Sequence, residues 1–306
     1  MANRKNSTHS AVKFAVFFIL ISILIVASIF IFNSTPEGSD NVEISIFGIG
    51  RADAILITTN NYTIMIDAGE NQHGQYLVDH LRDREITSID YLIITHFDSD
   101  HVGGAHALIN NLDVKKVIVP NYSRESRHVE RFEAAMNDAE LDPFVLIETM
   151  RLELDSVVFL INPSLLEYAH FSIGEDSGGD DFSIVVAITH GENNFLFTGD
   201  AEENRLEELL KNDEIMNLNY DFLKVPRHGR HNSRSIEFIN VVSPRYAVIT
   251  GFHPDSISYY YPERPADIRI IEALMLIDAE IFYTMSVGVL IRSDGDEISV
   301  TYSDFF

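Results

Sequence analysis

The stretch His96-Phe97-Asp98-Ser99-Asp100-His101-Val102-Gly103-Gly104 constrains this chain more than any other, because it follows directly on the apolar run Tyr91 to Thr95. Such a run reads as a strand, so four potential metal ligands leave the end of one strand together. His96 and Asp98, two apart in an extended turn, can point at one spot, and Asp100 and His101 can serve a second spot as the chain bends. A divalent cation would relieve the crowding of charge. The plainer alternative is a loop-to-helix junction in which Asp98 or Asp100 caps a helix. Capping needs one such residue, and four are present. The sequence has no cysteine, so disulfides and thiolate metal sites are excluded and any metal must be held by histidine and carboxylate.

Upstream, Phe14 to Phe32 carries no charge. At about 1.5 Å per residue it covers roughly 28 Å, close to the hydrocarbon thickness of a bilayer. Arg4, Lys5 and Lys13 precede it and Glu37 and Asp40 follow, so the short N-terminus is expected in the cytoplasm and the rest outside. A cleaved signal peptide would have a shorter apolar core and a small-x-small site, and nothing after Phe32 resembles one. The expected organisation is a cytoplasmic N-terminus at 1–13, a single-pass signal anchor in the cytoplasmic membrane at 14–32, a polar stalk at 33–41 and one large α/β domain at 42–306.

Within that domain, strands are expected at 42–49, 54–59 and 62–67, the last two joined by Asn60-Asn61, a pair that tolerates the positive φ of a tight hairpin. A helix over 74–83, the strand 90–95, a helix over 102–111, a strand at 116–119, a helix at 127–139 and a strand at 157–161 complete the first half. The second half repeats the vocabulary with a hairpin of 182–189 and 194–197, a helix 201–210, a strand 221–225, a helix 234–242 and a strand 245–250. Pro265 is expected to open a last helix whose stripe Ile268, Ile271, Leu274 and Met275 packs inward, before strands 280–284, 287–291 and 297–302. Two halves of this kind suggest two sheets face to face with helices outside.

Several ordered blocks resemble the metallo-β-lactamase superfamily and, within it, the extracytoplasmic hydrolase domain of ComEC-type competence proteins. Phe47 to Ala54 is similar to the family's V-G-Q-G-D-A, Met65 to Gly69 to I-D-T-G, and His96 to Gly104 to H-x-H-x-D-H-x-G-G. Phe197 to Asp200 is similar to T-G-D, and Leu223 to Gly229 to L-K-V-P-H-H-G. The resemblance implies a four-layer αββα metallo-β-lactamase fold over 42–302. It also implies metal ligation by His96, Asp98, Asp100, His101, Asp200 and His228, with Asp200 bridging two cations that share a water, and catalytic roles for Asp100 and Asp200. The block N-x-S stands here as Asp181-Phe182-Ser183, which offers Asp181 as an added ligand. The departures are Arg51 for Gln, Asp98 for the second His, Arg227 for the first His of the pair, and Tyr261-Pro262 for His-Pro. Carboxylate in place of imidazole at 98 shifts the expected metal from zinc toward manganese or magnesium, one ion or two. Asp200 also reads as the start of a capping box with Glu203. Asp53 and Asp67 read as hydrogen-bonding residues beneath the site, and His73, His80, His106, His128, His170, His190 and His231 receive no role.

The chain has a formal net charge of −25. Against that background Lys224, Arg227, Arg230 and Arg234 stand close together around His228 with no acidic residue among them. Lys224, Arg227 and Arg230 are therefore expected to bind an anionic substrate through phosphate oxygens. A long duplex would need an extended basic track, so a short or single-stranded nucleic acid or a small phosphodiester fits better. The alternatives are a hydrolase of an ester, lactone or amide, and a metal-poor binding module in which Asp98 and Arg227 mark a decayed site.

Overall fold

The computed structural model describes residues 41–166, 172–173, 179–251 and 265–304. The expected membrane anchor at 14–32 and the Tyr261-Pro262 pair lie outside the described residues, as does His170; among the described residues no helix is long and apolar enough to cross a membrane.

Two sheets lie face to face. The first has eight strands in the order Ile298–Ser303, Gly288–Ser293, Val42–Ile46, Ile55–Thr58, Thr63–Ile66, Tyr91–Ile93, Val117–Pro120 and Phe144–Leu146. The second has seven: Met150–Leu154, Val157–Asn162, Val185–His190, Asn193–Phe197, Phe222–Lys224, Tyr246–Ile249 and Glu280–Tyr283. The layering follows from strand alternation. Ile44, Ile46, Ile55, Ile57, Ile64 and Ile66 of the first sheet meet Phe159, Ile188, Phe195, Phe197, Phe222 and Val248 of the second in one core. The opposite face of the first sheet, with Leu56, Met65 and Leu92, is covered by helices His73–Asp83, Ala105–Asn111 and Arg127–Asp138. The opposite face of the second, with Ala187, Leu196, Leu223 and Ala247, is covered by Glu203–Leu209, Ser235–Val242 and Ile268–Leu276. The layers are therefore helix, sheet, sheet, helix, and each fully buried Ile or Phe adds roughly 1.5–3 kcal/mol.

The helices show why their sequences fold as they do. Arg127–Asp138 starts at Ser126, whose hydroxyl accepts from the Val129 N–H, and buries Val129, Phe132, Ala135 and Met136. The helix expected over 102–111 is instead two, Ser99–Val102 and Ala105–Asn111, parted at Gly103-Gly104. The glycines are needed there because other backbone passes too close: a Cβ on Gly104 would lie 2.2 Å from the Ala68 carbonyl oxygen, and one on Gly103 2.7 Å from the Asn71 nitrogen.

Pro265 does not open the last helix. Asp267 caps it by accepting from the Arg269 N–H, and the inward face is Ile270, Ile271, Ala273 and Leu274, with Ile268 and Met275 exposed. Of the expected stripe, only Ile271 and Leu274 therefore pack inward. The Asn60-Asn61 turn forms, closed by Thr59 N–H to the Tyr62 carbonyl at 3.0 Å, but neither asparagine takes a positive φ. Asp155 binds Thr59 and Asn61 instead. Strands Phe144–Leu146 and Met150–Leu154 add to those expected.

Candidate metal centre

Turns at strand ends of both sheets bring the chemistry to one place. His96, Asp98, Asp100 and His101 follow the strand Tyr91–Ile93; Asp200 follows Asn193–Phe197; His228 sits in the turn Pro226–Gly229 after Phe222–Lys224. Gly199 takes φ 52° to turn Asp200 inward, and the Asp200 N–H donates to Ser183 Oγ. Arg227 and His228 both take left-handed backbone, φ 50° and 52°, a conformation that costs a non-glycine residue about 1 kcal/mol or more and that recurs at functional sites.

The three histidines are held in one tautomer by the groups behind them. Asp67 accepts the Thr95 N–H at 2.8 Å and the Thr95 hydroxyl at 2.7 Å, which uses the hydroxyl's only proton. The His96 ring must then donate from Nδ1 to Thr95 Oγ at 3.0 Å. His101 Nδ1 donates to Asp67 at 2.8 Å, and His228 Nδ1 donates to the Thr250 carbonyl at 2.9 Å. Each Nε2 therefore faces inward, a lone pair whenever the ring is neutral, and all three are buried with no hydrogen-bond partner. Such backing is what orients imidazoles for a metal.

These atoms converge. His96, His101 and Asp200 present ligand atoms within 4.8 Å of one another, as do Asp100, His101 and His228, and a third set joins His96, Asp98 and Asp180. Asp200 lies 3.4 Å from His101 Nε2 and 3.2 Å from His228 Nε2, and Asp100 lies 3.4 Å from His228 Nε2. The donor set, bare imidazole nitrogens with carboxylates and no sulfur, suits zinc, manganese or magnesium.

Burial alone would raise the Asp200 and Asp100 carboxyls, but His228 and His101 hold both well below the usual carboxylate range. Burial likewise would lower the two imidazoles; Asp200 and Asp67 at His101, and Asp200 and Asp100 at His228, raise them instead.

The expected residues fall into different places. Asp181 faces away from the centre: its carboxylate accepts from Asn204 Nδ2 and from the Arg205 N–H, so it caps the helix Glu203–Leu209 from another segment. Its neighbour Asp180 faces His96 instead, at 4.0 Å. Adjacent residues in the 3-10 turn Asp180–Phe182 point to different sides, so that Asp180, not the expected Asp181, faces His96. Asp200 does not begin that helix either; Glu202 is its N-cap.

Lys224, expected to meet an anionic substrate, does not reach the surface. It is fully buried, its ammonium paired with Asp53 and lying 3.5 Å from Asp200, because it ends a strand whose neighbours are all core. Burial would lower its pKa, but Asp53 and Asp200 raise it, so it stays charged. Arg227 pairs with Asp180 at 2.7 Å and with Glu202, while Arg230, half-buried, closes the turn through its N–H to the Arg227 carbonyl. Arg234 pairs with Glu207 and Glu237. Two residues escaped sequence reasoning. Arg124 pairs with Asp98, and Asp180 completes the cluster on that side. Among the histidines given no role, His190 is buried, its Nδ1 on the Ser293 hydroxyl at 2.8 Å.

The profile of the Metallo-beta-lactamase superfamily matches residues 48–253. The chain is 25% identical over 240 residues to ComE operon protein 3 of Bacillus subtilis, covering 71% of this chain and 29% of that protein. It is 25% identical over 250 residues to competence protein ComA of Neisseria gonorrhoeae, covering 81% of this chain and 32% of that one. Recombination protein 2 of Haemophilus influenzae is 25% identical over 217 residues, 68% of this chain and 24% of the relative. The chain thus spans about a third or less of these relatives' length. Among solved structures it is similar to the metallo-beta-lactamase fold protein YhfI from Bacillus subtilis, with TM-score 0.53, 12% identity and coverage of 83% of this chain and 100% of that one. Tm1679, described as a metal-dependent hydrolase of the beta-lactamase superfamily, gives TM-score 0.52 at 14% identity, covering 81% and 98%. At those identities the likeness is one of fold.

Proposed function

Since this chain belongs to the metallo-beta-lactamase superfamily, we propose that it is a metal-dependent hydrolase of phosphodiesters, anchored by residues 14–32 with its domain outside the cytoplasmic membrane. The observation that carries the reading is the convergence of the bare Nε2 atoms of His96, His101 and His228 on Asp100 and Asp200. A divalent cation held there would supply Lewis acidity and an activated water.

The chain's own residues do the rest. Asp67 fixes the rings of His101 and, through Thr95, His96. Lys224 keeps Asp200 ionised and aimed. Asp100, with its side chain 22% exposed against 7% for Asp200, is the inner carboxylate nearer solvent and would orient the attacking water by accepting a hydrogen bond from it. Arg227, whose side chain is 21% exposed beside Asp180, places positive charge near the centre, where a phosphate oxygen would be attracted.

Kinship with competence and recombination proteins supports a nucleic acid as the source of the phosphodiester, and the −25 charge favours a short or single strand over a long duplex. The test is turnover by the full-length chain in detergent. A chromogenic phosphodiester and a short single-stranded DNA should be cleaved with manganese or zinc and not after chelation, and Asp200→Ala should abolish cleavage. Turnover of carboxylic esters or lactones alone would move the reading to that substrate class, and no turnover of any with loaded metal would favour a binding module.

A further inference from the structure

The part of the centre around His96 is neutralised from within. The Asp98 oxygen that faces His96 Nε2 across 3.9 Å, Oδ1, is the oxygen that accepts from Arg124 Nη1. Asp180 Oδ1 lies 4.0 Å from the same Nε2, and Asp180 Oδ2 accepts from Arg227 Nε at 2.7 Å. Arg227 then reaches on to Glu202. Each carboxylate here carries a guanidinium, and the pairs are partly shielded from solvent: the side chains of Arg124 and Asp98 are 8% and 31% exposed, those of Arg227 and Asp180 21% and 10%. The consecutive left-handed residues Arg227 and His228 aim the guanidinium at Asp180 while the imidazole turns to Asp100 and Asp200, so a costly backbone shape is committed to this division.

The opposite side differs. Asp100 and Asp200 face two orphaned imidazole nitrogens, those of His101 and His228, and the nearby ammonium of Lys224 is held by Asp53. A cation on the His96 side would have to displace a guanidinium from its carboxylate or lie against two of them, with repulsion strengthened by burial. A cation among Asp100, His101, Asp200 and His228 meets neither obstacle.

We infer that this centre takes one divalent cation, held by Asp100, His101, Asp200 and His228, and that Arg124 and Arg227 occupy the carboxylates of the other half in place of a second cation. This rests on the metal-dependent reading above. It gives the departure at Asp98 a physical meaning: the carboxylate serves an arginine rather than a metal.

The experiment is metal loading of the full-length chain in detergent. The protein is stripped with chelator, loaded with excess manganese, desalted and analysed for bound metal and by electron paramagnetic resonance. About one manganese per chain with the six-line spectrum of an isolated ion is expected. His96→Ala should still load about one, and His101→Ala should load none. The double variant Arg124→Met/Arg227→His, which frees Asp98 and Asp180, should load about two and show exchange coupling. Two exchange-coupled ions in the unmodified chain would overturn this inference and leave the hydrolase reading standing. No bound ion would overturn both. A double variant that folds and still loads one would show that the arginines are not what excludes the second cation. Should that variant fail to fold, the stoichiometry of the unmodified chain and of His96→Ala decides alone.

Discussion

Asp67 and His101 meet at 2.8 Å through one carboxylate oxygen, Oδ2, and that same oxygen takes the hydroxyl proton of Thr95. Two of the three inward-facing histidines therefore depend on one buried carboxylate: His101 directly, and His96 through the threonine. Replacing Asp67 with Asn puts an amide where one oxygen must accept two donors. Asp67→Asn should fold and lose about 10- to 100-fold in metal affinity, measured by competition with a chromophoric chelator. Unchanged affinity would mean that the rings are held by packing alone.

Lys224 offers a test of buried charge. Lys224→Met leaves Asp53 and Asp200 together without their cation, and should destabilise the metal-free protein by about 3–5 kcal/mol in urea unfolding. Adding Asp53→Asn should restore a large part of the loss. A cycle that is simply additive would show that the two residues do not interact.

The pH dependence should invert on loading with metal. In the metal-free protein His101 and His228 hold protons more tightly than in the unfolded chain, so their contribution is present below about pH 6.5 and lost as pH rises through the raised values. Asp100 and Asp200 are depressed, so their contribution is present above about pH 3.8 and lost only as pH falls through the lowered values. Thermal unfolding with chelator should thus show highest stability between about pH 4 and 6.5 and a decline above. With manganese, which competes with protons for the same nitrogens, stability should rise across that upper range. A metal-free protein that gains stability steadily from pH 6.5 to 8.5 would contradict these raised imidazoles.

Gly104→Ala probes the turn that carries the ligands. The new methyl would meet the Ala68 carbonyl oxygen at 2.2 Å, and the Gly104 N–H that donates to Gly69 at 2.9 Å would be displaced. A loss of about 2 kcal/mol or more is expected, with weakened metal loading, because neither contact can relax by a side-chain rotation.

What the sequence disclosed and what it hid have different physical origins. The ligand turn was legible because His96 to Gly104 packs donors and glycines into a short run after a strand, and the helix at Arg127 because its cap and its 3.6-residue stripe are local. The burial of Lys224 is hidden because a basic run looks solvated when read as a line. In space, Phe222–Lys224 is a central parallel strand with the core on both faces, and Asp53, far away in the chain, together with Asp200 and the Gly199 carbonyl makes the lysine tolerable. The exchange of Asp180 for Asp181 turned on the sense of a single 3-10 turn, which composition does not encode. Arg124 carried no local signal at all: its meaning comes from Asp98, reached only after the strand Val117–Pro120 has been laid beside Tyr91–Ile93.

The order of strands in the first sheet has a consequence for how the chain is made. Val42–Ile46 pairs on one side with Ile55–Thr58 and on the other with Gly288–Ser293, which pairs in turn with Ile298–Ser303. A ribosome delivers the earliest strand more than two hundred residues before its second neighbour. During that interval one row of its backbone amides and carbonyls has no partner, the situation that invites pairing with other chains. The nascent protein is therefore expected to need shelter from a chaperone for most of its synthesis.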